Sequence, residues 1–346
     1  MPQLKRNNHF VPQLYLRNWG DKKKHVWAYQ LLVPNKRVAN WKRMAISVVA
    51  AQRDLYTVIS KGQEDDSFER WIDLEFESPV QESLSKVAND KKLTTSDWNR
   101  LALFLAAQDV RTPLNYFETM ERWGKELPDL LEKTLKQTIG TLDKNYREGT
   151  PSSEKPSGVD IFEDLVKVEI VPKAESESGS NEIYASVIAG RKFWLNSVRF
   201  LLTKTCKVLL NHKWSIVEAA KGMTWFTSDH PVLRLNYYKE GKYDLRGGWG
   251  NKGGNIMMPL SPRHLLFTQV GHEFSDYFTF TTEKTYEIQR FLAERAFRYI
   301  FANKQTPGVA RLRPRHVNLE EFNNEEFQWN KWHEEQSAVE KLTKEV

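Results

Sequence analysis

The chain has a single cysteine, Cys206, in 346 residues, which excludes an internal disulfide framework and a zinc site built on several thiolates. Long apolar runs are missing too: Leu101 to Ala107 is typical of the longest and stops well short of the roughly 20 residues a bilayer span requires. The start, MPQLKRNNHF, carries charge but no apolar core and no small-residue cleavage site. A secretory signal is therefore not expected, and the reading is a cytoplasmic protein without a membrane partner. HExxH, Walker A, GxGxxG before a helix, the EF-hand loop and the G-x-S-x-G elbow are all absent, which removes the strong signals for zinc proteases, P-loop NTPases, dinucleotide enzymes, calcium sensors and elbow-type serine hydrolases. Glycine is concentrated rather than spread: six of seventeen lie in 241–254, a stretch without a G-K-[ST] ending and so a loop, not a phosphate cradle.

What is present is charge of unequal sign at the two ends. Residues 1 to 43 hold ten Lys or Arg and one acid, Asp21, whereas 320 to 346 hold eight Glu against Lys331, Lys341 and Lys344. The net charge of +6 therefore sits mainly at the N-terminal end. Lys22, Lys23, Lys24, Arg37, Lys42 and Arg43 form a candidate nucleic-acid-binding surface, unless they are a solvated face or the acidic tail folds over them. Trp19, Trp27 and Trp41 interleave with these cations, as base-stacking residues or as core filling.

Periodicity predicts an α+β chain: long helices packed with a small N-terminal sheet and a mainly antiparallel C-terminal sheet. VWAYQLLV and DLYTVIS read as strands. Phe68, Ile72, Phe76, Val80 and Leu84 recur every four residues as a helical stripe interrupted near Pro79. LTTSDW starts a helix with Thr95 or Ser96 as its cap, Pro113 opens a second helix or kinks the first, and Val187 to Leu210 reads as a third. After Trp214 short apolar lengths such as NIMMPL and HLLFTQV indicate a sheet. The domain reading is one α+β domain over 1–319, with a mobile polar insertion near 148–181, and an acidic amphipathic tail over 320–346.

Three islands stand out: NNHFVPQLYLRNW, QDVRTP, and WFTSDHPV followed by NIMMPLSP. In order and spacing they resemble the prokaryotic domain-of-unknown-function family 4238, over most of the chain. The resemblance implies a fold and no settled activity, and it loosely suggests occurrence near phage-defence genes.

Each island offers a structural and a chemical meaning. His9, just before the fixed Val-Pro geometry, is a packing histidine or a general acid or base. Arg111 caps helix carbonyls before Pro113 or clamps a phosphate with its planar fork. Asp229 turns the chain after a strand, with Ser228, or presents a carboxylate to a divalent metal, with Glu77 as a second ligand. His230 is the weaker ligand candidate, because adjacent residues on an extended chain point to opposite sides. Ser261 in PLSP reads as structural.

Two functional expectations follow. The first is a phosphodiesterase or nuclease using Mg²⁺ or Mn²⁺, with His9, Arg111 and Asp229 catalytic. The second is a non-catalytic nucleic-acid- or protein-binding module that docks through its basic N-terminal surface.

Overall fold

Two sheets form the middle of the molecule, and successive side chains on their strands enter two different cores. On the larger sheet Ile216, Ile256, Met258 and Leu266 enter one core, and Val217, Met257, Leu265 and Phe267 enter the other. The smaller sheet divides in the same way, with Val26, Ala28 and Phe301 on one side and Tyr29, Ile300 and Ala302 on the other. Strands covered on both faces need no polar alternation, which explains the unbroken apolar character of NIMMPL and HLLF.

The computed structural model describes residues 4–149, 166–172, 181–187 and 189–341. The larger sheet has six strands in the order Lys242–Asp244, Leu233–Lys239, Asn255–Pro259, His264–Gln269, Ser215–Glu218 and Tyr277–Thr279, antiparallel except for the last pair. The smaller sheet runs Thr227–Ser228, Tyr299–Ala302, His25–Gln30 and Lys42–Ala45, antiparallel throughout. Long helices pack beside them, and at 47% helix and 21% strand the class is α+β.

The four-residue stripe acquires a specific cause. Phe68, Ile72, Phe76, Val80 and Leu84 are all buried, yet a spacing of four drifts roughly 40° per step around a regular α-helix. A π-helical turn at Asp73–Glu77 inserts one extra residue between the helices Ser67–Ile72 and Ser78–Ala88 and returns the stripe to the core. The next helix, Thr95–Val110, starts one residue earlier than expected from its cap: Thr94 Oγ1 accepts the Asp97 N–H, and Asp97 accepts the Thr94 N–H, a reciprocal capping box. Buried Asp97 also accepts from Ser83 and Lys86, locking this helix to the preceding one.

Pro113 opens a helix rather than kinking one: Pro113–Glu148 runs for 36 residues from a Thr112 cap. The helix expected over Val187 to Leu210 is shorter, with Arg191–Phe200 followed by a π turn at Leu201–Thr205 and a 3₁₀ turn at Cys206–Asn211. Of the expected insertion, 150–165 and 173–180 lie outside the described residues, and the strands on either side of 173–180, Val166–Pro172 and Asn181–Val187, pair antiparallel. The C-terminal helix, Leu319–Lys341, is not a detached tail. Trp332 and Glu340 are buried, and Glu340 accepts the Ile59 N–H and two hydrogen bonds from buried Arg191.

Candidate functional site

The three sequence islands meet. Phe10 from the first, Pro113 from the second and Asp229 from the third line one cavity of about 310 Å³, with the C-terminal helix on its other side through Phe322, Glu325 and Trp329. Direct hydrogen bonds join the islands behind it. Arg111 Nε donates to the Phe10 carbonyl at 3.1 Å, Thr112 Oγ1 lies 2.6 Å from His230 Nδ1, and the Tyr15 hydroxyl lies 2.7 Å from Thr227 Oγ1 and donates to the Pro259 carbonyl.

Arg111 is fully buried at the C-terminal end of Thr95–Val110. Its Nη1 donates to Glu77 Oε1 at 2.6 Å, and with its amide oxygen turned inward Gln108 accepts from Nη2. The fork is consumed inside the protein and is not presented to an external phosphate. Glu77 is held by that guanidinium at the π turn, so the second ligand expected for a metal is already committed to an ion pair. Glu69 belongs to the same group: burial pushes its carboxyl up to about 7 against the pull of Arg111, and its Oε2 has no hydrogen-bond partner among the described residues. His9 lies on the strand Asn7–His9, with Nε2 3.2 Å from the Ser47 carbonyl. Burial lowers its pKa, with Glu77 and Arg111 both near enough to act on it.

Asp229 is engaged elsewhere. Its Oδ1 accepts the Phe297 N–H at 2.9 Å, and Oδ2 accepts those of Arg298 and Tyr299 at 2.6 and 2.9 Å. Burial nevertheless raises its pKa to about 6, outweighing the three amides. The carboxylate thus clamps the start of Tyr299–Ala302 to its neighbouring strand Thr227–Ser228, and Asp229 and Glu77 each have a protein partner where a shared Mg²⁺ or Mn²⁺ would need free oxygens. The residues do not fit that ion. Ser228 makes the expected turn, its Oγ donating to the His230 carbonyl and accepting the His230 N–H. His230 is wholly buried, which holds its pKa well below the usual value. Structure therefore brings Arg111, Glu77 and His9 together and gives Asp229 its own partners.

A second chain of residues resembles a hydrolytic relay. Ser261 Oγ lies 2.9 Å from His264 Nδ1, and His264 Nε2 lies 2.9 Å from Asp90 Oδ1. Ser261 Oγ, however, accepts the N–H groups of Arg263 and His264 and is buried, so its hydroxyl closes a turn. Asp90, Glu218 and His264 also place ligand atoms within 4.8 Å of one another, but Arg263 donates to both carboxylates and makes the group an ion-pair network.

The basic residues lie along one hairpin and the turn that leads into it. Lys22, Lys23 and Lys24 form the turn before His25–Gln30, Lys42 and Arg43 lie on the edge strand paired to it, and Arg37 is in the connecting loop; all are exposed. Among the described residues only Arg43 of this group has a carboxylate partner, Asp21. Arg315 joins from the C-terminal side by donating to the Val38 carbonyl. Trp19 and Trp41 are buried, and Trp27 is half-buried against the second core, so these tryptophans are packing residues. Nor does the acidic helix screen the cations: Glu321 and Glu325 meet Arg298, and Glu340 meets Arg191.

An α+β protein with its sequence islands gathered behind a C-terminal helix is the class that the fold defines. The chain belongs to the family described as Protein of unknown function (DUF4238), whose family model matches residues 7–306. No curated protein and no solved structure matches the chain. No helix among the described residues is long and apolar enough to cross a membrane.

Proposed function

We propose that the protein is a non-catalytic nucleic-acid-binding module that works in the cytoplasm and docks through its basic N-terminal hairpin. The observation that carries this reading is the group Lys22, Lys23, Lys24, Arg37 and Lys42, exposed along one hairpin and the turn leading into it and without carboxylate partners among the described residues. Cations in this arrangement attract phosphates by displacing condensed counterions, without sequence preference. The competing nuclease reading needs carboxylates free to hold a metal, and Asp229 and Glu77 are bound to three amides and to Arg111. A place in phage defence is carried by the family resemblance alone.

The test is fluorescence anisotropy with a labelled DNA or RNA duplex across a salt series. Replacing Lys22, Lys23 and Lys24 by Gln should weaken binding and reduce the slope of log K against log salt by up to about 2.7, at about 0.9 per lost phosphate contact. An unchanged slope, or an affinity indifferent to salt in the unaltered protein, would overturn the reading.

A further inference from the structure

The cavity where the islands meet has a chemistry opposite to that of the basic hairpin. Five of its walls are aromatic: Phe10, Phe297, Tyr299, Phe322 and Trp329. Three carboxylates, Asp229, Glu325 and Glu326, line it against a single cation, Arg298. That cation is spoken for, with Nε donating to Glu325 at 2.6 Å. It also lies 4.3 Å from the centre of the Phe297 ring, so one aromatic wall already accepts a cation on its face. Glu326 has no ion-pair partner among the described residues and stands at the exposed rim.

Tyr299 adds a polar group that the fold does not use. Its ring stacks on Phe301, while its hydroxyl has no hydrogen-bond partner among the described residues. Burial, with Asp229, Glu325 and Glu326 nearby, pushes its pKa up to about 12, so the hydroxyl stays protonated and neutral, able to donate and to accept. Asp229 accepts only one hydrogen bond at Oδ1, leaving that oxygen capacity for a second donor.

We propose that this cavity binds a small alkylammonium ion, with its charged nitrogen among Tyr299, Asp229 and Glu326 and its alkyl part against the aromatic rings. Ring faces and uncompensated carboxylates both favour a cation, whereas apolar walls favour one with hydrocarbon attached. A volume of about 310 Å³ is at the lower end of small-molecule sites and suits a compact ligand. A larger cavity, of about 570 Å³, is lined by Arg122, Arg234 and Arg246 with Glu118 and is less suited to the same ion.

Calorimetry on the full chain with butylammonium, tetramethylammonium and neutral 1-butanol tests the site. Butylammonium should bind saturably. Butanol should bind at least tenfold more weakly, because it lacks the charge, and tetramethylammonium should fall between them, because it keeps the charge but has no N–H donor. Tyr299→Phe and Glu326→Gln should each weaken butylammonium binding at least fivefold with the melting temperature within a few degrees of the unaltered protein. Lys22→Gln, on the distant hairpin, should leave it unchanged. Equal affinity for butanol, unaltered binding in both variants, or no saturable binding of butylammonium below 10 mM would overturn the proposal. None of these outcomes bears on duplex binding by the hairpin, so the two readings fail separately.

Discussion

Positive charge is handled in opposite ways in the interior and on the N-terminal hairpin. Arg111, Arg191 and Arg295 are buried, and each meets a carboxylate: Glu77, Glu340 and Glu118. Lys22, Lys23, Lys24, Arg37 and Lys42 are exposed and meet none among the described residues. The difference follows from solvation. A guanidinium removed from water must recover its lost hydration from fixed partners, whereas an exposed ammonium keeps its water and remains available to an external anion. Lys42 and Arg43 have a further consequence, since charged side chains on an edge strand oppose pairing with a second sheet.

Breaking an interior pair should have the largest effect. Arg191 Nε and Nη2 both donate to Glu340, and Nη1 donates to the Asp54 carbonyl, so Arg191→Ala strands a buried acid and frees the C-terminal helix. A loss of about 3–5 kcal/mol is expected, read by urea denaturation. A loss below 1 kcal/mol would mean that Glu340 does not depend on Arg191 for its place in the interior.

Next is Asp229→Ala, which leaves three backbone N–H groups at 297–299 without their acceptor. The expected cost is about 3 kcal/mol, with a fall in melting temperature. A catalytic carboxylate with no structural duty would instead be replaceable without thermal cost, so an unchanged melting temperature would reopen the enzyme reading.

Glu69 is a buried acid whose pKa burial raises. Its folded-state pKa is raised by burial from 4.5 to about 7, so the folded protein holds that proton more tightly than the unfolded chain does. Its contribution is therefore full below pH 4.5, declines as pH rises towards 7, and stays lost above it. Glu69→Gln should remove that decline and gain about 2–3 kcal/mol relative to the unaltered protein at pH 8 compared with pH 4, measured by denaturation at both values. Parallel pH profiles would show that Glu69 ionises without penalty.

The smallest stability effect belongs to the hairpin. Gln at 22, 23 and 24 should change unfolding free energy by no more than about 0.5 kcal/mol, even as duplex affinity falls. A larger loss would assign these lysines to the fold and not to a partner. The same variant thus separates solvated charge from structural charge.

Much of this architecture was legible along the chain. The α+β class, the strands after Trp214 and the buried stripe from Phe68 to Leu84 all depend on short-range patterns that a sequence displays directly. A spacing of four residues even carried a hint of the π turn, because a regular helix cannot keep such a stripe on one face. The partners of the chemically suggestive residues were not visible. Arg111 finds Glu77 across 34 residues, and Asp229 finds the 297–299 amides across 68 to 70.

By itself the sequence determined which faces are apolar, where helices begin and where cations outnumber acids, since each depends on residue type at local spacing. Only the tertiary structure decided that Arg111 is internally satisfied and that Asp229 accepts three backbone amides, that the acidic helix covers the island cavity instead of the basic hairpin, and that five aromatic rings share one space. The physical reason is that burial and partnership are properties of contacts between distant segments: a carboxylate's chemistry is set by which donors the fold brings to it, and no local pattern of residues records that choice.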